Sequence, residues 1–323
     1  MKVRLETYID DSTKKKSESN IEIIKEVGVG KNATKMVELS DGTTGFLKNS
    51  AGTTNAILDD LEYYMYIVGK HILGYDFADV SKAYDGDIFV GTISKNVAEE
   101  NERLIMFSTI VSTLVSEPTN QIKEIATKYQ NLRNRNLKTF IKPNGDTVDY
   151  PFLDNDDDVY DAIDMFSVVL DQLNIPQENK HEIKEKYFQM MLFDLVTGQK
   201  DRNNNNYGLI YNETTKQLRF SPLFDNSTIH LPGIPSNLCQ INGYFVDRKQ
   251  MMDVLVNKYG EYTRPMVDFL VDNQEAIVTK SKRVASEVLK PEQREWVIST
   301  MDDGFKSLTE VSKNNKKIYL RLN

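Results

Sequence analysis

The first hundred residues read mostly as strands. Lys2 to Ile9, Ile21 to Val27, Met36 to Leu39 and Thr44 to Lys48 are short runs of mixed apolar and polar positions, separated by Lys/Ser-rich and Gly-containing turns. One helix interrupts them. Over Thr54 to Leu73 the residues Ile57, Leu61, Tyr64, Met65, Val68 and Ile72 recur at spacings of three and four, with Gly74 placed to end the helix. Asp79 to Tyr84 and Asp87 to Ile93 flank Asp85-Gly86, a hairpin signal.

After about residue 98 the period lengthens. Helices are predicted over Asn101 to Ser116, Thr119 to Thr139, Val159 to Leu173 and Gln177 to Thr197, and again from 245 to about Lys313. The exception is Tyr207 to Asp225, which reads as two strands around the turn Asn212 to Gln217. A lone hairpin is marginal, so this one must be held against another element. The pattern predicts an α+β chain in two parts: a sheet-rich region with one helix over 1–97, and a helical region with one hairpin over 98–323.

Composition narrows the function. With 323 residues and 40% hydrophobic content the chain can bury a core, and its length suits two domains or one enzyme of two lobes. A net charge of −8 repels phosphate backbones, so nucleic acid is not expected as a direct partner. A single cysteine, Cys239, makes neither an internal disulfide nor a thiolate zinc site, and His71, His181 and His230 are scattered. The N-terminus has no apolar leader and no window of ~20 apolar residues occurs, so a cytoplasmic protein with no membrane partner is expected.

The densest polar constellation is Lys200-Asp201-Arg202-Asn203-Asn204-Asn205-Asn206, between an apolar helix and the hairpin, with Asp225 after the hairpin's second strand. A magnesium-dependent phosphoryl transferase of the kinase type needs a carboxylate to position the attacking hydroxyl. It needs an amide oxygen five residues later for Mg²⁺, and a second carboxylate after the next hairpin. Asp201, Asn206 and Asp225 fill those places in order. A D-x-x-x-x-N spacing alone reads as a polar surface loop, since Asn and Asp crowd turns. The preceding helix and following hairpin tip the balance toward catalysis.

In the first region Glu26 to Lys35 carries Gly28 and Gly30 in a turn between strands, with Thr34 its only hydroxyl. The turn fails as a Walker A loop, because Asn32 follows Lys31. It serves equally as a nucleotide cover or as a plain hairpin turn. Lys48 ends the next strand and Glu62 lies in the helix, the companion pair expected of a phosphate-gripping lysine and the carboxylate that holds it.

Leu61 to Gly74 resembles the glutamate-bearing helix of the HipA-like serine/threonine kinases. GQKDRNNNNYGLI (198–210) and SPLFDNS (221–227) resemble their catalytic loop and metal-binding segment. The matched stretches run from about Gly28 to Val97 and from about Tyr187 to Gly233. Phosphoinositide-type lipid kinases share a similar D-R-x-x-x-N loop, and the helix with the compact first lobe favours the HipA-like family.

The resemblance implies a two-lobed, protein-kinase-like fold that transfers the γ-phosphate of ATP, with Mg²⁺, to a serine or threonine of a protein substrate, and an antitoxin-like partner. In it Lys48 contacts the phosphates, Glu62 orients Lys48, Asp201 is the catalytic base, Asn206 and Asp225 hold the metal, and the turn bearing Gly28, Gly30 and Thr34 covers the nucleotide. Only 27 residues precede Gly28, which places the chain with the short, stand-alone members. The serine that the longer toxins autophosphorylate beside this turn has no counterpart. Two rivals share the site: a small-molecule or lipid kinase, and a catalytically silent binding module.

Other signals read as structural. Asp154 to Asp158 lacks the glycine and glutamate of a calcium loop and reads as a helix N-cap. The basic run Lys128, Arg133, Arg135, Lys138 and Lys142 reads as a solvated face, and Trp296 as core.

Overall fold

A computed structural model of the chain describes residues 2–10, 15–29, 34–48, 56–116, 119–142, 144–229 and 233–322. The chain divides into two compact units, the first formed by residues 1–99, 222–228 and 276–298, and the second by the remainder.

The first unit is built on β1 (Lys2–Asp10), β2 (Lys15–Val29), β3 (Thr34–Leu39) and β4 (Thr44–Lys48), followed by α1 (Ala56–Tyr66), β5 (Val80–Asp85) and β6 (Ile88–Lys95). The strands close into a barrel in the order β1-β2-β3-β4-β6-β5. Alternation supplies its interior: Val3, Leu5, Ile23, Val37, Leu39, Leu47, Ala83 and Ile93 form one buried cluster.

The α1 helix runs into a π-helical stretch, Ile67–Ile72, and every residue from Leu61 to Gly69 is buried. At Gly69 a Cβ would come within 2.1 Å of the Phe77 ring, so only glycine lets that ring lie against the helix. The residues on either side of Phe77 in turn bond Leu223, Ala78 donating its N–H to the Leu223 carbonyl at 3.0 Å and Leu223 donating its own to the Asp76 carbonyl at 2.8 Å.

The second unit contains β7 (Glu102–Met106), α2 (Phe107–Ser116), α3 (Asn120–Arg135), β8 (Leu137–Ile141), β9 (Thr147–Leu153), α4 (Asp156–Asp171), α5 (Gln177–Thr197), β10 (Gly208–Asn212), β11 (Leu218–Phe220), β12 (Leu238–Ile241), β13 (Tyr244–Asp247), α6 (Arg248–Lys258) and α7 (Gly260–Asp272). Of the last two helices, α8 (Gln274–Val288) falls mostly in the first unit, while α9 (Pro291–Leu322) starts there and continues in the second. Phe107, Phe166, Tyr187, Tyr207 and Phe220 form an aromatic cluster in which Phe166 and Tyr187 stack at 3.8 Å between ring centroids.

The sheet-rich first region and the mainly helical second one match the α+β reading, but the second region holds more sheet than its periodicity suggests. Asn101 to Ser116 is not one helix, since Glu102–Met106 pairs with β10. That pairing is the support the hairpin required, and it makes a sheet of order β11-β10-β7. The helix expected to reach Thr139 stops at Arg135, because Leu137–Ile141 enters a second sheet of order β12-β13-β9-β8. Trp296 is half-buried, and its neighbour Val297 is the core residue. The acidic run behaves as a cap, with the Asn155 side chain accepting the Asp158 N–H at 2.9 Å. Among the described residues no helix is long and apolar enough to cross a membrane.

Candidate active site

Two groups of the expected residues come together, one in each unit. In the first unit Lys48 closes β4 on the side opposite Leu47, which points into the barrel. Lys48 Nζ lies 2.7 Å from Glu62 Oε2 and 2.8 Å from Asp225 Oδ1. Glu62 is 3% exposed, and a carboxylate so buried requires a charge partner, which the lysine provides. Burial disfavours the Lys48 ammonium, but the two carboxylates outweigh it and raise its pKa above the ordinary lysine value. Burial likewise pushes the Glu62 carboxyl up, against the pull of the adjacent ammonium.

Asp225 sits in left-handed backbone, φ 53°, a conformation that costs a non-glycine residue about 1 kcal/mol or more and collects at functional sites. Its side chain is 42% exposed, whereas that of Glu62 is buried.

The glycine turn is partly described. Gly28 lies in β2 opposite Met36, beside a register shift, and Thr34 opens β3 with its backbone opposite Lys48. Gly30 lies outside the described residues, and the Thr34 side chain is not described.

In the second unit α5 ends in Gly198 at φ 75°, where a Cβ would stand 2.4 Å from Thr300 Cγ2, so glycine is required both for the turn and for the packing. The loop that follows is held by the residues on each side of Asp201. Lys200 and Arg202 are each 2% exposed. Lys200 donates to the carbonyls of Pro235 at 3.1 Å and Leu238 at 2.6 Å, and burial lowers its pKa to about 8. Arg202 makes a bidentate pair with Asp194, at 2.7 and 2.9 Å, and donates a third bond to the Asn206 carbonyl at 2.7 Å. Burial raises the Asp194 carboxyl pKa, opposed by the guanidinium.

Asn206 donates its side-chain amide to the Asp201 carbonyl at 2.6 Å, and its own N–H to the Asn203 carbonyl at 2.9 Å. With Nδ2 so engaged, the amide oxygen is the end that remains to meet a metal. Gln199 accepts the backbone N–H groups of Lys200 and Asp201 at 3.0 and 3.3 Å.

Sequence reasoning assigned no role to Asp194, Gln199 or the Arg202 side chain. The available signal was one acidic residue inside the apolar run YFQMMLFDLVT, which a buried helix tolerates only when that residue is paired.

Among the described residues no group of three or more His, Cys, Asp or Glu forms a metal cage. Taken separately, the Asn206 amide and the Asp225 carboxylate each offer oxygen donors of the kind hard cations take.

No family model and no curated protein matches the sequence. Among solved structures, the Helicobacter pylori proinflammatory kinase CtkA superposes with a TM-score of 0.57 at 14% identity, over 90% of this chain and 95% of that one. A chain of the Shewanella oneidensis MR-1 toxin–antitoxin complex of HipA, HipB and operator DNA superposes with a TM-score of 0.39 at 12% identity, over 90% of this chain and 67% of that one. The CtkA likeness extends over nearly the whole chain, and it agrees with the family that the glutamate helix and catalytic loop resemble. In fold, this chain is similar to the CtkA kinase.

Proposed function

We propose that the protein is a kinase that transfers the γ-phosphate of ATP, with Mg²⁺, to a serine or threonine hydroxyl of a protein substrate. The observation that carries this reading is the placement of Lys48 between a buried and an exposed carboxylate, Glu62 at 2.7 Å and Asp225 at 2.8 Å. Glu62 fixes the lysine, and its ammonium meets phosphate oxygens. Asp225 and the Asn206 amide oxygen are the groups that would hold Mg²⁺, and the ion would supply neutralisation of the phosphate charge.

Asp201 accepts the proton of the attacking hydroxyl as its oxygen bonds to the γ-phosphorus and the bond from that phosphorus to the β–γ bridging oxygen breaks, releasing ADP. Lys200 and Arg202 keep the Asp201 backbone in place through their buried contacts. Gly28, Gly30 and Thr34 cover the nucleotide with the β2–β3 turn. The sequence resemblance adds an antitoxin-like protein partner to the proposal.

The reading is tested by incubating the purified protein with Mg²⁺, labelled ATP and cell lysate beside Asp201→Asn. Label in a specific protein band supports it. Label confined to the lipid extract supports a lipid kinase, and absence of nucleotide binding supports a silent module.

A further inference from the structure

The four consecutive asparagines 203–206 are chemically alike, yet their contacts differ. Asn206 binds the Asp201 carbonyl at 2.6 Å, and Asn204 Oδ1 accepts the Tyr207 hydroxyl at 3.1 Å. Asn203 Nδ2 donates to the Asp201 carboxylate itself, at 2.9 Å from Oδ1. Which end of the Asn203 amide faces Asp201 is fixed independently, because its Oδ1 accepts the backbone N–H of Asn205 at 2.9 Å. Asn205 is in turn tied to the start of α2, its Oδ1 accepting the Ser108 hydroxyl at 2.6 Å. The Ser108 N–H anchors the same loop through the Asn204 carbonyl at 2.9 Å.

We infer that Asn203 is a positioning residue for Asp201, and that Asn205 and Ser108 brace it. A bond to one carboxylate oxygen restricts rotation about the Asp201 side chain, so its proton-accepting face is set before substrate arrives rather than chosen from several rotamers. The relay runs from Ser108 Oγ to Asn205, from the Asn205 N–H to Asn203 Oδ1, and from Asn203 Nδ2 to Asp201. It rests on the reading of Asp201 as the base. Neither the kinase pattern nor the family resemblance assigned Asn203, Asn205 or Ser108 a role.

Asn203→Asp separates positioning from mere turn structure. Aspartate has the same shape and still accepts the Asn205 N–H, so a purely structural role survives the change. It lacks the amide donor and sets a second carboxylate against Asp201, so positioning does not survive. The expected result is a fall in kcat of about 10-fold or more for both Asn203→Asp and Asn203→Ala, with KM for ATP within about twofold of the parent and an unchanged thermal melt. Ser108→Ala should lower kcat severalfold alone and add little to Asn203→Ala, because both act through one relay.

Parent-like kcat in Asn203→Asp, or losses in the Ser108/Asn203 double variant that multiply in full, overturns the relay. These outcomes are distinct from failure of the kinase reading. That failure appears as a parent protein with no phosphate transfer, or an Asp201→Asn variant as active as the parent, and either result removes the proposal as well.

Discussion

Lys200 offers a quantitative test of how the loop before Asp201 is anchored. Its ammonium is buried on two backbone carbonyls, and burial lowers its pKa to about 8 from an ordinary 10.5. A lysine depressed on folding binds its proton more weakly in the native state than in the unfolded one. Stability therefore rises with pH from about 8 to 10.5 and is lowest in the fully protonated range.

With those two values, raising the pH from about 7 to 9.5 should add about 2 kcal/mol to the unfolding free energy through this group alone. Lys200→Met keeps most of the stem but has no proton to exchange. At neutral pH it loses two hydrogen bonds and also relieves a buried charge, so its absolute stability is a poor gauge. The gauge is the difference between parent and variant, from which the other titrating groups largely cancel.

Urea unfolding at several pH values between 7 and 9.5 measures it. The parent should gain about 2 kcal/mol on the variant across that range. Parallel profiles would show that Lys200 titrates as an ordinary exposed lysine, and the buried anchor described for the loop would be wrong.

Other expectations concern the two groups of site residues. Glu62→Ala should lower kcat about 10-fold to 100-fold, and combining it with Lys48→Ala should cost little beyond Lys48→Ala alone, since Glu62 acts through the lysine 2.7 Å away; a steady-state kinetic double-mutant cycle reads this directly, and fully additive losses would refute it. Asn206→Ala should raise the Mg²⁺ concentration needed for half-maximal activity and depress the maximal rate, whereas Asn204→Ala, whose side chain engages Tyr207, should shift the metal dependence little; Mg²⁺ titrations on variants checked by thermal melt decide between them, and equal shifts would mean the metal register is misassigned.

The sequence makes elements with strong local patterns readable. Thr44–Lys48 and Gln177–Thr197 are found at their predicted bounds, one a five-residue strand and the other a long helix ended by Gly198. The stretch Asn101 to Ser116 predicts one helix because its apolar positions suit both periods. Only pairing with β10, about a hundred residues away, makes its first part a strand. Leu137–Ile141 pairs with β9 in a hairpin, and what draws that hairpin into a sheet is the nonlocal pairing of β9 with β13. The β12–β13 hairpin did carry a local signal, Asn242-Gly243, both in left-handed backbone at φ 49° and 88°.

Lys48, Glu62, Asp201, Asn206 and Asp225 could be picked out as candidates because kinase chemistry calls for particular donors in a particular order, and the structure brings Lys48 to Glu62 and Asp225 and brings Asn206 to Asp201. Asp194 and Asn203 could not. Their significance lies in what they touch, Arg202 in one case and the Asp201 carboxylate in the other, and one-dimensional spacing does not express it.

The central claim is that this chain is a kinase whose proton acceptor is Asp201. Its most direct measurement is phosphate transfer from labelled ATP, with Mg²⁺ and lysate proteins, by the parent and by Asp201→Asn at matched fold stability. The account predicts label in a discrete protein band for the parent and a loss of about 10²-fold or more for Asp201→Asn, with phosphoserine or phosphothreonine recovered from the band. Transfer by Asp201→Asn at the parent rate, or no transfer by the parent to any acceptor, would contradict it.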